Sequence, residues 1–388
     1  MKILCVFGQY QYGTKSRGVS TEYFSFLPAF QNLDHEVIFF DSWDRTLYND
    51  FIELNTALIE TVKKGTPDII FSVQLGYEIW LETWEHIRTN FHCKTINWCT
   101  DDSWKYKEHS KFIANHFDLM VTTYEEFLPL YAQQGANAIL SGWGCPVQWL
   151  KEPKKAQDCK YKVTFVGAAH GDRKEKIKKL KEYGADVQCF GYGWENGAIN
   201  ANEIPNIFND SIISLNFANS SGENQIKARI FEVTGSGGFL LTEDAKNLDK
   251  AFTNTEVAIF EDIQSCAEKI NYYLNNLEKR DDIVTNSFNK TSNNYTYINR
   301  VKDILANSSE SKYKIISDVN FEHAVQQHKK GFILSLLRKV LLLLGKIIFT
   351  KEKGKRFARR AAYELSWRFF GSATYKAKGI VGRMFYEE

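Results

Sequence analysis

Short apolar runs alternate with helix-like stretches over residues 1–148, and the alternation restarts after a charged linker. The first series places strands at 2–7, 36–40, 68–72, 94–98, 118–122 and 138–141, with helical patterns near 20–32, 48–63, 77–90, 105–114 and 124–133. A strand–helix–strand rhythm of this kind builds a parallel sheet. Lys151 to Lys160, rich in charge and containing Pro153, reads as the linker. The second series places strands near 162–166, 187–190, 211–216, 238–241 and 257–259. Two Rossmann-like domains are expected, at 1–148 and 149–305, followed by a linker over 306–330 that begins with the polar stretch Ala306 to Lys314, and a tail over 331–388.

Open parallel sheets bind ligands outside the carboxyl ends of their strands, so chemistry is expected in the loops that follow the apolar runs. After the first strand come Gly8, Gln9, Tyr10, Gln11, Tyr12 and Gly13, then Lys15, Arg17 and a helix capped near Ser20 or Thr21. This loop lacks Gly-x-Gly-x-x-Gly, which argues against a dinucleotide cofactor. Its polar and aromatic residues, Tyr10, Gln11, Gly13 and Arg17 among them, suit a polar ligand. After the fourth strand, Asp101 and Asp102 offer a carboxylate that can deprotonate a hydroxyl, or else a cap for the helix starting at Ser103 or Trp104.

The second series repeats the arrangement. Gly167-Ala168-Ala169-His170-Gly171-Asp172-Arg173 follows its first strand; small residues admit a phosphate and Arg173 can pair with it. His170 either touches sugar or phosphate or is an incidental loop histidine. Gly191 to Trp194 follows the strand near 187–190, and Asn216 ends the strand near 211–216. The stretch from Gln225 to Glu243 reads as a helix carrying Lys227, Arg229 and Glu232, stopped by glycines at 235, 237 and 238 and followed by a buried strand. Two cations suit a diphosphate, and a carboxylate suits the vicinal hydroxyls of a ribose. The plainer alternative is an i,i+3 ion pair on a solvated helix face.

Arg229-Ile-Phe-Glu-Val-Thr-Gly-Ser-Gly-Gly-Phe-Leu-Leu-Thr-Glu243 resembles the signature of the spore-maturation-type (CgeB-like) glycosyltransferases, a branch of the group 1 glycosyltransferases with the GT-B fold. Arg17-Gly-Val-Ser-Thr-Glu-Tyr23, Trp98-Cys-Thr-Asp-Asp-Ser-Trp104, Phe165-Val-Gly167 with Asp172-Arg173, and Phe190-Gly-Tyr-Gly-Trp194 fall in the order that family uses. The resemblance covers roughly residues 1–305. It implies an α/β GT-B architecture: two Rossmann-like domains facing a cleft, the second holding a nucleotide-diphosphate sugar, with Gly191 to Trp194 bordering the nucleobase and Asn216 near the donor, and the first holding an acceptor against the loop of Tyr10, Gln11, Gly13 and Arg17. It also implies that Glu232 matches the family's later glutamate. Many group 1 enzymes place two glutamates eight positions apart, whereas Glu223 and Glu232 are nine apart, so the earlier role does not transfer to Glu223. The fold resembled generally works without a metal, and no Asp-x-Asp is found. Neither a metal nor a cofactor beyond the donor is therefore expected, with Lys227, Arg229 and Arg173 neutralising the departing diphosphate.

Seven cysteines, at 5, 93, 99, 145, 159, 189 and 266, form no Cys-x-x-Cys pair, which argues against a disulfide framework or zinc site and fits a reducing cytosol. The first apolar run is too short for a signal peptide and leads into Gly8. Charge is unevenly divided: residues 329–388 carry net +11 and residues 1–328 net −9. Within the tail, residues 331–349 are almost long enough to span a bilayer but are interrupted by Arg338, Lys339 and Lys346, which share one arc of a helix with Ser335. Such a helix lies in the interface. Basic and aromatic residues interleave over 351–370, which suits anionic headgroups. The alternatives are that the tail packs back on the body or joins two copies. The leucine run argues against nucleic acid.

The sequence therefore points to a metal-independent glycosyltransferase, peripheral on the cytoplasmic face of a membrane, acting on a surface-glycan or lipid-linked acceptor. A nucleotide-sugar epimerase or hydrolase on the same fold, and a silent glycan-binding scaffold, are the rivals.

Overall fold

The computed structural model describes residues 1–217, 225–310, 319–329 and 331–386. The chain divides into two compact units: Met1–Ser141 together with Lys302–Glu388 (unit 1), and Gly142–Val301 (unit 2).

Unit 1 is built on six strands, β1 (Lys2–Phe7), β2 (Glu36–Asp41), β3 (Ile69–Ser72), β4 (Lys94–Cys99), β5 (Leu119–Thr122) and β6 (Ala138–Leu140). They lie in the order β2-β1-β3-β4-β5-β6 with every pairing parallel. All four residues of β3 and five of the six in β1 are buried, as a strand covered on both faces requires. Helix α1 (Thr21–Gln31) begins where Ser20 Oγ accepts from Tyr23 N at 3.0 Å, and α2 (Phe51–Gly65) where Asp50 accepts from Glu53 N at 2.9 Å. Helix α3 (Leu81–Asn90) starts later than the apolar pattern suggests, because Glu78 turns back to accept from Gly76 N at 2.7 Å and holds the preceding residues in a loop. The helix expected at 105–114 begins at Asp102 and contains a π turn over Tyr106–Ser110, where four of five side chains are buried.

Unit 2 has five strands, β7 (Tyr161–Val166), β8 (Gln188–Phe190), β9 (Ser211–Asn216), β10 (Leu240–Glu243) and β11 (Ala258–Phe260), in the order β11-β10-β9-β7-β8, again all parallel. Arg280, fully buried, fixes the start of β9 by donating to the carbonyls of Ser211 at 2.8 Å, Ile212 at 2.9 Å and, outside the sheet, Lys154 at 2.9 Å. Helix α4 (Arg173–Glu182) follows β7, and α5 (Ala228–Gly235) precedes β10. The signature helix thus starts three residues later than its first residue, Gln225, suggests. Strand β10 is displaced toward the carboxyl terminus because Gly237, at φ +66, turns the chain and Gly238 presses against the Phe208 carbonyl, where a Cβ would sit 2.8 Å away.

The last segment corrects the expected organisation most. Ala306 to Glu310, read as linker, complete the helix Tyr297–Glu310, while 311–318 lie outside the described residues. Helices α6 (Phe332–Ile348), α7 (Lys351–Phe370) and α8 (Ile380–Met384) belong to unit 1 and do not form a separate tail. Ala358, Ala362, Tyr363, Tyr375 and Phe385 share one buried cluster with Leu4 and Val6 of β1. Small residues at Gly354, Ala358, Ala362 and Ser366 recur every fourth position on the buried side of α7, which lets its backbone approach closely.

A buried ion pair joins α3 to the foot of β5: Arg88 and Asp118 are each 1% exposed at the side chain, and Asp118 also accepts from Thr95 N at 2.9 Å. Asp118→Ala removes the carboxylate counter-ion of a buried guanidinium and is expected to cost about 3–5 kcal/mol. Urea unfolding checks this; a loss below about 1 kcal/mol would show that the pair is not what holds this edge.

Candidate functional site

In unit 2 the loops leaving β7 and β8 are joined strand-like at the carboxyl edge of the sheet. Gly167 N donates to Phe190 O at 2.8 Å and Ala169 N to Tyr192 O at 2.8 Å. Gly191 adopts φ +127, and a Cβ there would lie 2.4 Å from the Gly167 carbonyl, so only glycine allows the approach. Trp194 donates its indole N–H to Gly167 O at 2.8 Å and packs edge-on to Phe165. Arg173, the first residue of α4, donates to Ala168 O at 3.0 Å and to Phe217 O at 3.1 Å, tying the β7 loop to the residue after β9. One strand further along, Asn216 donates to Thr242 Oγ1 at 2.9 Å.

Arg229 lies in the first turn of α5. Its guanidinium is 2.8 Å from the Glu232 carboxylate and covers the Phe208 ring. Burial lowers the Arg173 pKa, and the neighbouring Arg229 cation lowers it further. Two guanidiniums repelling one another at strand ends mark a place where an anion is favoured. Lys227 is the N-cap of α5 in extended conformation and not, as expected, a helix-face residue. His170 is exposed on the turn before α4, with its main chain bonded to Ala168 and Arg173. Gly167, Arg173, Trp194, Asn216, Arg229 and Glu232 thus gather at one edge of one sheet. Glu223 lies outside the described residues.

In unit 1 the loop after β1 folds on itself through a Tyr10–Val19 bridge and a Gln11 N to Gly18 O bond of 3.0 Å. Asp41 at the end of β2 accepts from Gln9 N at 2.9 Å, and a Cβ on Gly13 would lie 2.0 Å from the Trp43 carbonyl. Gln11, Tyr12 and Arg17 remain exposed, with the Arg17 guanidinium over the Tyr12 ring. Of the paired aspartates, only Asp101 keeps access to solvent. Asp102 is fully buried, accepting from Thr122 Oγ1 at 2.7 Å and from Tyr131 OH at 2.8 Å, and burial pushes its pKa up. Its expected role as a base is corrected: it ties the loop after β4 to β5.

Glu22 was not singled out by its sequence context, which reads only as an acidic first turn of α1. Burial pushes its carboxyl up to about 7, with a smaller lowering by Lys105 and a smaller raising by Asp101. Glu22, Asp101 and Lys105 therefore share one corner at the ends of β1 and β4. Lys105 also donates to Leu75 O at 3.2 Å, and His109 contacts Gly76 O at 2.9 Å, so the loops after β3 and β4 are fixed to each other. Among the described residues no group of three His, Cys, Asp or Glu side chains is placed to hold a metal ion.

Two parallel sheets with flanking helices, their polar groups collected at strand ends, are the elements from which a GT-B fold is built. Residues 173–306, about a third of the chain, match the model of a glycosyl transferase-like family. No curated protein matches the sequence significantly. Among solved structures, the Anabaena protein HepE in complex with UDP superposes with a TM-score of 0.55 at 11% identity, covering 80% of this chain and 100% of that one. Sucrose-phosphate synthase from Thermosynechococcus elongatus gives 0.56 at 10% identity, over 80% and 99%. A DNA-modifying β-glucosyltransferase solved with and without uridine diphosphoglucose gives 0.52 at 11%, over 80% and 100%. The chain has a GT-B fold, and its residues 173–306 are similar to the glycosyl transferase-like family.

The different positions of the two aspartates are separable by experiment. Asp102→Ala strips Thr122 and Tyr131 of their acceptor and is expected to cost about 1–3 kcal/mol, whereas Asp101→Ala should stay within about 0.5 kcal/mol of wild type. Equal thermal midpoints for the two variants would contradict the assignment.

Proposed function

We propose that the protein is a group 1 glycosyltransferase of the CgeB-like kind that moves a hexosyl or related sugar from a nucleotide diphosphate to a surface-glycan or lipid-linked acceptor. What carries this reading is the meeting of Arg173, Arg229 and Glu232 at the carboxyl edge of the unit 2 sheet, within the segment that matches the glycosyl transferase-like model. In the reaction, an acceptor hydroxyl oxygen attacks the anomeric carbon, the bond from that carbon to the β-phosphate oxygen breaks, and the nucleoside diphosphate leaves. Arg173, Arg229 and Lys227 balance the charge it gains. Glu232 accepts from the ribose hydroxyls, Gly167 lets the phosphates approach, and Asn216 and Trp194 border sugar and base. His170 sits on the phosphate side. No metal is required in this scheme. The acceptor lies against Tyr10, Gln11, Gly13 and Arg17, and its proton passes to Asp101 or Glu22. The enzyme works at the cytoplasmic face of a membrane as a peripheral protein.

UDP is the first nucleotide to test, because HepE and the DNA-modifying β-glucosyltransferase were solved with UDP or uridine diphosphoglucose. At about 100 times its dissociation constant a ligand stabilises by roughly 2.7 kcal/mol. UDP should therefore raise the thermal midpoint of the full chain by about 2–4 °C, and Arg229→Ala or Glu232→Ala should abolish the rise. No response to UDP, GDP, TDP, CDP or ADP would favour the silent scaffold, and sugar release without any acceptor would favour the hydrolase.

The base can be identified from the pH profile. A carboxylate must be ionised to take a proton, so with Glu22 as base kcat/KM should climb as pH rises through about 7, the value to which burial pushes it. Glu22→Gln should remove that limb and most of the rate. A profile unchanged in Glu22→Gln assigns the task to Asp101.

A further inference from the structure

Helix α6 is turned the wrong way for a water-facing helix. Phe332, Ile333, Leu336, Leu343, Ile347 and Ile348 are between 54% and 83% exposed. At about 100° per residue they fall on one broad arc. The opposite side, with Leu334, Leu341, Leu342 and the buried Gly345, packs on unit 1. The orientation is fixed at the turn into α7: a Cβ on Gly345 would lie 2.3 Å from the Gly354 carbonyl, and one on Gly354 would lie 2.6 Å from Gly345. The two backbones touch there, so α6 cannot roll its apolar arc inward without opening the hairpin. Phe357, Leu365, Phe369 and Phe370 of α7 are exposed as well, from 40% to 76%.

The surroundings of this arc select its occupant. Residues 331–370 hold ten Lys or Arg against Glu352 and Glu364. A second copy docking through the same face would set these cations against themselves. A nucleic acid would satisfy the cations and leave the apolar arc wet. An anionic bilayer satisfies both, with acyl chains for the arc and headgroups for the exposed Lys339, Lys346 and the first turns of α7, while the half-buried Arg338 lies over the Phe385 ring. Among the described residues no helix is long and apolar enough to cross a membrane, so the arrangement is in-plane.

The hairpin is also tied to particular loops. Tyr363 OH donates to Glu108 O at 3.3 Å, and Arg360 pairs with the Glu108 carboxylate at 2.7 Å. Ala377 N donates to Glu82 at 3.0 Å, and Tyr386 OH donates to Tyr48 O at 2.8 Å. These partners lie in the connections leaving β2, β3 and β4, the last of which also supplies Asp101 and Lys105.

We infer that the outward arc of α6 with the cations around it is an in-plane docking surface for an anionic lipid bilayer, and that the acceptor is carried in that bilayer. The second half rests on the glycosyltransferase reading; the first does not.

The test uses the full chain with vesicles of phosphatidylcholine, with and without phosphatidylglycerol. Wild type should sediment with the anionic vesicles, and added salt should release part of it. Leu336→Glu/Leu343→Glu and, separately, Lys353→Glu/Arg356→Glu should each lower binding at least about tenfold. Both pairs face solvent, so far-ultraviolet dichroism and the UDP-induced thermal shift should stay at the wild-type level. Failure of wild type to bind either vesicle overturns the proposal. So does a lipid-free dimer that the double glutamate variant converts to monomer, since a second copy would then occupy the arc. Loss of the UDP shift in wild type would instead count against the donor site and leave the docking surface standing. If binding holds, transfer to a lipid-linked saccharide should exceed transfer to its water-soluble head alone, and the excess should vanish in the double glutamate variant; equal rates would refute a bilayer-borne acceptor.

Discussion

A parallel strand buried on both faces has no room for polar chemistry along its length, and this confines everything reactive in the molecule to strand ends. Ends are loops, and loops must be held still to be useful. Unit 1 does this with side chains bonded to main chain: Asp41 takes the Gln9 amide, Glu78 the Gly76 amide, and Lys105 reaches the Leu75 carbonyl. Burial drives the His109 ring down to about 3, so it stays neutral beside Gly76 and adds no charge to a corner that already holds Glu22, Asp101 and Lys105. Unit 2 reaches the same end by other means. There two loops bond to each other, with Gly191 and Trp194 closing on Gly167 and Arg173 bracing the result against Phe217.

The strands were legible in the sequence to within about two residues, because a short apolar run between polar stretches has few other uses. The cations and carboxylate of the signature segment were legible too, although Lys227 proved to stand before the helix. Asp101 and Asp102 could not be told apart, since neighbours in sequence differ here only in which way they point. The partners that bury Asp102, Thr122 and Tyr131, are about twenty and thirty residues away. Glu22 was invisible for a related reason: an acidic residue in a first turn is so common that only its burial in the folded chain, beside the distant Lys105 and Asp101, makes it unusual.

The carboxyl-terminal segment was read by composition, and composition averages over faces. Its charge and its apolar arc were both recognised, but the four-residue stripe of Gly354, Ala358, Ala362 and Ser366 passed as background among the basic residues. That stripe is what seats α7 on unit 1. The outcome combines two readings that looked exclusive: the segment packs back on the body and still presents a broad apolar surface outward.

Unit 2 is a single continuous stretch, whereas unit 1 is assembled from both ends of the chain. During synthesis residues 142–301 are therefore complete while the first sheet still waits for Tyr363, Tyr375 and Phe385, which line its core. Domains fold as their residues become available, so unit 1 must spend the whole translation of unit 2 with part of its interior uncovered. Chaperone demand and vulnerability to proteolysis should accordingly fall on the sheet of unit 1, made before unit 2 and closed after it.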